Sequence, residues 1–491
     1  MLNEDKLRGF LNRIIQTTEE LSNQKINDKN GVLKKRSYFL VADKYVRLFQ
    51  EKKLNQRIII FPGLRGIGKT TLLFQVYNYL LKDKKIPKER LLYVDAGELK
   101  NNIGGNLIDL FKIYEEVYLR NPIEKVEDDI FVFIDEAHYD NEWPGFVKSL
   151  FDRSDGKKNL IVFISGSSAL ALRANTDLSR RAVIDLLYPL TFQEYLLLKY
   201  NFYPPKGTAE KIRVSLENDL ESAYYILSNT YNSLQVSLTK QGINLETAIS
   251  EFLALGASPL AIVGGPSDLY FRWWIGVLDK VVQQDIPSFS PLSNKKSAEI
   301  FSLLRFLAEN TPAPQSYQSI ASRLDNTPKS TIHNIFEALK NSCLLIEISP
   351  DINPLKKMNV PSKYYFMHPT IRASLLWSVG KFKKDLLLND AEYFGMFLED
   401  ILASTLLRNR EKGRIILEVS FDSQKGGSDF VIKTPKKNIA IECCWGKKDC
   451  GQLIKTIERF KCKFGILVSK VNSVTIDSNI ITIPRELLLF I

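Results

Sequence analysis

Apolar and polar positions along the chain change period from segment to segment. Over residues 4–24, Leu7, Phe10, Leu11, Ile14 and Ile15 recur at helical spacing, which predicts an amphipathic helix. Residues 23–31 are polar and read as a linker. From 36 to 200, short apolar runs alternate with helical patterns. Ile58–Phe61, Ile130–Ile134 and Leu160–Ile164 read as buried strands; Leu72, Leu73, Val76 and Leu80 place a helix over 71–81. Such alternation predicts a parallel α/β sheet. Pro204, Pro205 and Gly207 break the chain, and 208–284 is mostly helical, with Trp273, Trp274, Val277, Val281 and Val282 on its apolar positions.

Residues 296–370 carry the pattern of a winged helix. Helices are expected over 296–309, 316–324 and 330–340, with a turn at Asp325-Asn-Thr-Pro328 between the last two. Wing strands follow from Leu344 and from Lys363, with a basic loop at Lys356 and Lys357. In a DNA-binding use, Lys329, Ser330, Thr331, His333 and Asn334 would face the major groove. Few arginines lie on that helix, so backbone contact or protein docking fits it better than base readout.

The strand ends carry chemistry. Gly63-Leu64-Arg65-Gly66-Ile67-Gly68-Lys69-Thr70-Thr71 follows one strand and opens a helix, the context a phosphate-binding loop requires. Glycines let backbone N–H groups converge on phosphate oxygens, and the helix N-terminus adds partial positive charge. Lys69 would reach the β- and γ-phosphates of ATP, and the Thr70 hydroxyl would ligate Mg²⁺. A second strand, Asp129-Ile-Phe-Val-Phe-Ile-Asp135-Glu136, ends in two carboxylates; Asp135 is suited to the Mg²⁺ shell and Glu136 to the attacking water. Ser165 and Ser167, after a third strand, could bond the γ-phosphate or the water, or simply cap the next helix. Arg180 or Arg181 could stabilise charge at the γ-phosphate, in the same chain or from a neighbouring subunit, or form a solvated basic pair.

Gly-x-Arg-x-x-Gly-Lys-Thr, Phe-Ile-Asp-Glu-Ala-His, Ser-Gly-Ser-Ser and Arg-x-x-x-x-x-Leu-x-Pro-Leu-Thr-Phe-x-Glu-Tyr together resemble the archaeal and bacterial AAA-type ATPase family. Leu255-Gly-Ala-Ser-Pro259 is similar to the Gly-Gly-x-Pro signature of that family's helical lid, with Ala257 in place of the second glycine. The resemblance implies an α/β fold: an N-terminal helix and linker (1–35), a P-loop NTPase core (36–205), a helical lid (206–290), a winged helix (295–372) and a restriction-endonuclease-like α/β domain (385–491). It also implies, for the last domain, a metal-dependent nuclease pattern. Asp429 and Glu442, with Glu399 from a helix, would bind Mg²⁺, and Cys444 stands where a lysine is expected. Lys447 could reach back in its place, and Gln452 opens the following helix. The alternative is a degenerate nuclease fold kept for binding.

The 491 residues suggest several domains, and 45% apolar content is enough for packed cores. No apolar stretch is long enough to span a membrane, and the polar N-terminus does not read as a signal peptide. Four of five cysteines fall between Cys443 and Cys462 without paired Cys-x-x-Cys spacing; reduced thiols in a cytoplasmic protein fit better than zinc or disulfides. Net charge is +11, and residues 351–491 hold 23 basic and 15 acidic side chains, which suggests an anionic partner, first duplex DNA. The sequence thus points to an Mg²⁺-dependent ATPase acting with DNA, with protein partners through the winged helix and a homo-oligomer if the arginine acts in trans. Alternatives are a DNA-binding regulatory module using ATP as a slow switch and an ATP-controlled endonuclease.

Overall fold

A computed structural model describes residues 2–28, 31–166, 178, 180–286, 294–323, 328–352, 360–384, 390–413, 415–444 and 450–491. The chain divides into two compact units, Met1–Tyr188 and Pro189–Ile491.

In the first unit, β1 (Ile58–Pro62), β2 (Leu91–Asp95), β3 (Ile130–Asp135), β4 (Leu160–Gly166) and β5 (Ala182–Ile184) form one parallel sheet in the order β2-β3-β4-β1-β5. β1, β3 and β4 are buried along their whole length, as expected of strands covered on both faces. The longer helices of this unit are α1 (Leu2–Ile26), α2 (Ser37–Gln50), α3 (Lys69–Asn78), α4 (Leu107–Tyr114) and α5 (Trp143–Arg153). Leu7, Phe10, Leu11, Ile14 and Ile15 of α1 join Val94, Val132, Ile134 and Leu110 in one hydrophobic cluster. The helix expected as a separate N-terminal segment is therefore part of the core, because its apolar stripe needs a partner surface.

The second unit begins with α6 (Phe192–Tyr200), started by a capping box between Thr191 and Glu194. α7 (Thr208–Ser215), α8 (Leu220–Lys240), α9 (Leu245–Leu255) and α10 (Ser267–Lys280) make the helical segment. Then come α11 (Asn294–Glu309), α12 (Tyr317–Ala321) and α13 (Lys329–Asn341), and an antiparallel hairpin of β6 (Leu345–Ile348) and β7 (Lys363–Phe366). Residues 325–327 of the expected turn and the basic loop at Lys356 and Lys357 lie outside the described residues. α14 (Pro369–Ser378) is buried from Pro369 through Leu376 and packs against α9, α10, α11 and α15 (Ala391–Glu411). The segments expected as lid, winged helix and last domain thus meet on one buried helix. After α15 come β8 (Glu418–Ser420), β9 (Phe430–Lys433), β10 (Asn438–Cys443), α16 (Gly451–Arg459), β11 (Phe464–Ser469), β12 (Thr475–Asp477) and β13 (Ile480–Pro484). They form a mixed sheet in the order β8-β9-β10-β11-β13-β12, parallel across β10, β11 and β13 and antiparallel elsewhere.

Candidate nucleotide-binding site

Parallel register brings the chemistry to one edge of the first sheet. Asp95 lies opposite Asp135, and Phe61 opposite Ser165, so the carboxyl ends of β1, β2, β3 and β4 converge. The loop between β1 and α3 needs its glycines for two different reasons. A Cβ on Gly63 would lie 2.4 Å from the Leu187 carbonyl oxygen. Gly68, the residue before α3, has φ of 98°, which side chains rarely tolerate. Leu64 and Ile67 are buried anchors, whereas Gly66 is exposed and Arg65, Gly68, Thr70 and Thr71 are half-buried. Buried Lys69 donates to the carbonyls of Gly63 (3.2 Å) and Leu64 (2.9 Å), and so bridges the loop that a phosphate would enter.

Asp135 joins the two motifs. The Thr70 hydroxyl donates to its Oδ2 at 2.6 Å, and the Ser165 hydroxyl donates to its Oδ1. The Tyr93 phenol adds a 3.1 Å bond to Oδ2. Burial, then the charge of Asp135, pushes that phenol well above its ordinary pKa. Asp95 is also raised, first by burial and then by Asp135. Glu136 has φ of 49°, an uncommon conformation for a residue with a side chain, and its Oε2 lies 3.4 Å from Nδ1 of His138. The Thr70 hydroxyl and the Asp135 carboxylate are hard oxygen donors placed together, a set that fits Mg²⁺ beside nucleotide phosphates.

Two of the expected residues, Arg180 and Arg181, are not brought here. Arg181 sits at the opposite end of β1, where its carbonyl accepts from the Ile58 N–H, and its guanidinium pairs with Asp152 at 2.8 Å. With β1 some 13 Å long at ~3.3 Å per residue, Arg181 does not reach the phosphate loop of its own chain in this arrangement. Arg180 is exposed in the same turn. Ser167 lies outside the described residues. Sequence reading missed Tyr93 and Asp95, although Leu91-Leu-Tyr-Val-Asp95 repeats the apolar-run-then-acid pattern of β3. It also missed Arg36, a buried side chain that donates to the Ile67 carbonyl at 2.8 Å and the Tyr188 carbonyl at 2.9 Å, clamping the loop.

The C-terminal acidic cluster has a different character. The Asp429 N–H donates to Glu442 Oε2 at 3.2 Å, and the Cys443 N–H donates to Asp429 Oδ2 at 3.1 Å. Asp429 Oδ1 accepts from Lys363 Nζ at 3.1 Å. Burial opposes the Lys363 ammonium, but Asp429, Glu399 and Glu442 outweigh it and raise its pKa. Burial, then Asp429, holds the Glu399 carboxyl well above the usual range. Cys444 turns away from this group to pack with Leu453 and Ile457, its thiol 3.4 Å from the Ser469 hydroxyl. Among the described residues, no three His, Cys, Asp or Glu side chains are placed to hold a metal ion. Asp429 and Glu442 are together, as expected, but their oxygens are turned to internal donors, so this arrangement does not fit the Mg²⁺ site expected there. Lys447, the expected replacement for the missing lysine, lies outside the described residues.

A five-stranded parallel sheet with a glycine-rich loop after one strand and an acid pair after another defines a P-loop NTPase. Comparison with known proteins narrows this class. Residues 55–196 match the AAA domain family. The chain is 31% identical over 478 residues to the uncharacterized protein MJ1637 of Methanocaldococcus jannaschii, covering 97% of this chain and 92% of that one. A Haemophilus influenzae protein is 21% identical over 343 residues, 69% of this chain and 74% of its own. Among solved structures, the Walker-type ATPase PABY2304 of Pyrococcus abyssi aligns with 68% of this chain and 95% of its own, at 14% identity and a TM-score of 0.39. The chain belongs to the archaeal and bacterial AAA-type P-loop ATPase family.

Proposed function

We propose that this protein binds ATP with Mg²⁺ at the loop of residues 63–71, hydrolyses it, and does so in concert with duplex DNA. The contact between Thr70 and Asp135 carries the nucleotide half of this reading, since it joins both motifs at one point. Loop amides and Lys69 bind the phosphates once Lys69 leaves its own carbonyls. Thr70 and Asp135 hold Mg²⁺, which neutralises phosphate charge when bound. Glu136 orients water and accepts its proton, and Ser165 keeps Asp135 in place. An arginine from a second copy, with Arg180 the exposed candidate, completes the site and makes the active form a homo-oligomer.

The DNA half rests on charge and exposure. In residues 295–372, read as a winged helix, Lys329, Ser330, His333 and Asn334 are exposed along one side of α13, while Ile332, Ile335 and Phe336 are buried. The excess of basic residues over 351–491 extends the same sign. A second reading, ATP as a slow switch, is favoured by the contact of Glu136 with His138, which restrains the base. The test is ATP turnover of the full chain with and without duplex DNA across a salt series, with Glu136→Gln as control. Stimulation by DNA that fades with salt supports the first reading. Salt-sensitive DNA binding with little turnover supports the switch. No response to DNA transfers the exposed face of α13 to protein partners.

A further inference from the structure

Lys363 lies on a hairpin strand, 66 residues before the acid that it meets. Its side chain is more than nine-tenths buried, with Nζ 3.1 Å from Asp429 Oδ1 and 5.5 Å from the centre of the Phe421 ring. The hairpin is tied to the C-terminal sheet beside this contact. Pro350 bridges to Phe421, the Asp351 N–H donates to the Phe421 carbonyl at 3.3 Å, and Lys433 pairs with Asp351 at 2.7 Å. Two ion pairs of opposite sense therefore cross one seam: Lys363 to Asp429 and Lys433 to Asp351. Glu399, also more than nine-tenths buried, has an Oε2 with no hydrogen-bond partner, and Asp429 and Lys363 are the charges that act on it most strongly. The cluster offers oxygen ligands of the kind a divalent cation takes, yet its central carboxylate is already matched to an ammonium.

We propose that Lys363 is the resident cation of the Asp429–Glu442–Glu399 cluster, occupying in cis the place that a divalent metal ion would otherwise take. An ammonium on a short-range contact with Asp429 competes with any metal for the same oxygen, and the seam holds it there at high effective concentration. Losing the lysine leaves buried carboxylates without a counter-charge, so the cluster then gains affinity for a hard divalent ion. The site is a joint between the hairpin and the C-terminal sheet, with latent metal affinity that appears only when the joint opens.

The test is Mn²⁺ binding to the nucleotide-free full chain, followed by electron paramagnetic resonance, in wild type, Lys363→Ala, Lys363→Arg and Lys363→Ala/Asp429→Asn. Wild type and Lys363→Arg are expected to show no Asp429-dependent site. Lys363→Ala is expected to bind one Mn²⁺ at least about tenfold more tightly than wild type, and the double variant to lose it. Because Lys363→Ala loses a buried partner, its thermal unfolding is recorded as well. Mn²⁺ is expected to raise its midpoint by more than that of wild type, and the excess to vanish in Lys363→Ala/Asp429→Asn. Mn²⁺ bound by wild type and lost in Asp429→Asn would overturn the proposal, as would a Lys363→Ala protein that Mn²⁺ neither occupies nor stabilises.

Discussion

Asp135 receives three hydroxyl groups, from Thr70, Ser165 and Tyr93, and it is the side chain on which the nucleotide site turns. Lys69→Ala is expected to abolish nucleotide binding, read by titration with a fluorescent ATP analogue, because no other described ammonium bridges the loop carbonyls. Glu136→Gln is expected to retain binding and lose ~10²–10⁴-fold in turnover, the usual worth of a positioned general base; wild-type turnover in that variant would assign the water to another group. Asp95 gives a pH prediction. Its folded carboxyl is raised by burial and then by Asp135, so the folded state holds the proton more tightly than the unfolded chain. Its contribution to stability is full below the ordinary value of 3.8 and is lost as pH rises through the higher folded value. Asp95→Asn, which can still accept the Glu98 N–H, should therefore stabilise the first unit at pH 7, with the gain shrinking toward pH 4 in urea unfolding. Lys69 and Thr70 stood out because a phosphate-binding loop imposes fixed spacing on its residues, and Asp135 and Glu136 because two acids end an apolar run. Tyr93 and Arg36 were not, because their partners lie 42 and 31 residues away and meet them only through sheet register and loop packing.

At the level of elements, hydrophobic period located α1, α3, α11 and α13 and three strands of the first sheet, β1, β3 and β4, to within a few residues, but it did not single out β2, β5 or α14. What it could not show is which elements share a partner. α14 is buried over nearly its whole length because it serves several helices at once, and nothing in its own pattern names them. One of these connections is polar. Arg372 and Asp400 are fully buried, with Nε and Oδ2 2.6 Å apart. The guanidinium also donates to the carbonyls of Leu307 and Ala308, and Asp400 accepts the Phe366 N–H. Arg372→Ala would strand a buried carboxylate and is expected to cost about 3–5 kcal/mol in the second unit, measured by denaturant unfolding. In the first unit, Leu11→Ala on α1 is expected to cost about 2–5 kcal/mol, since Leu11 is fully buried in the main cluster.

On the scale of the whole molecule, charge is the guide to partners. Lys329 opens α13 on its exposed side, so Lys329→Ala should weaken duplex binding equally across sequences and reduce the salt slope by about one. An unchanged slope would move the contact elsewhere. No helix among the described residues is long and apolar enough to cross a membrane. The packing of α1 bears on how such a chain can be divided and recombined. An ATPase core that began at residue 36 would bare the surface against which Leu7, Phe10, Leu11, Ile14 and Ile15 lie, an apolar strip formed by α3, α4 and β2. Such strips are where proteins stick to one another. Gene fusions or excisions that carry the loop of residues 63–71 into a new setting must therefore carry the first 26 residues with it, or supply another helix to lie in the same groove.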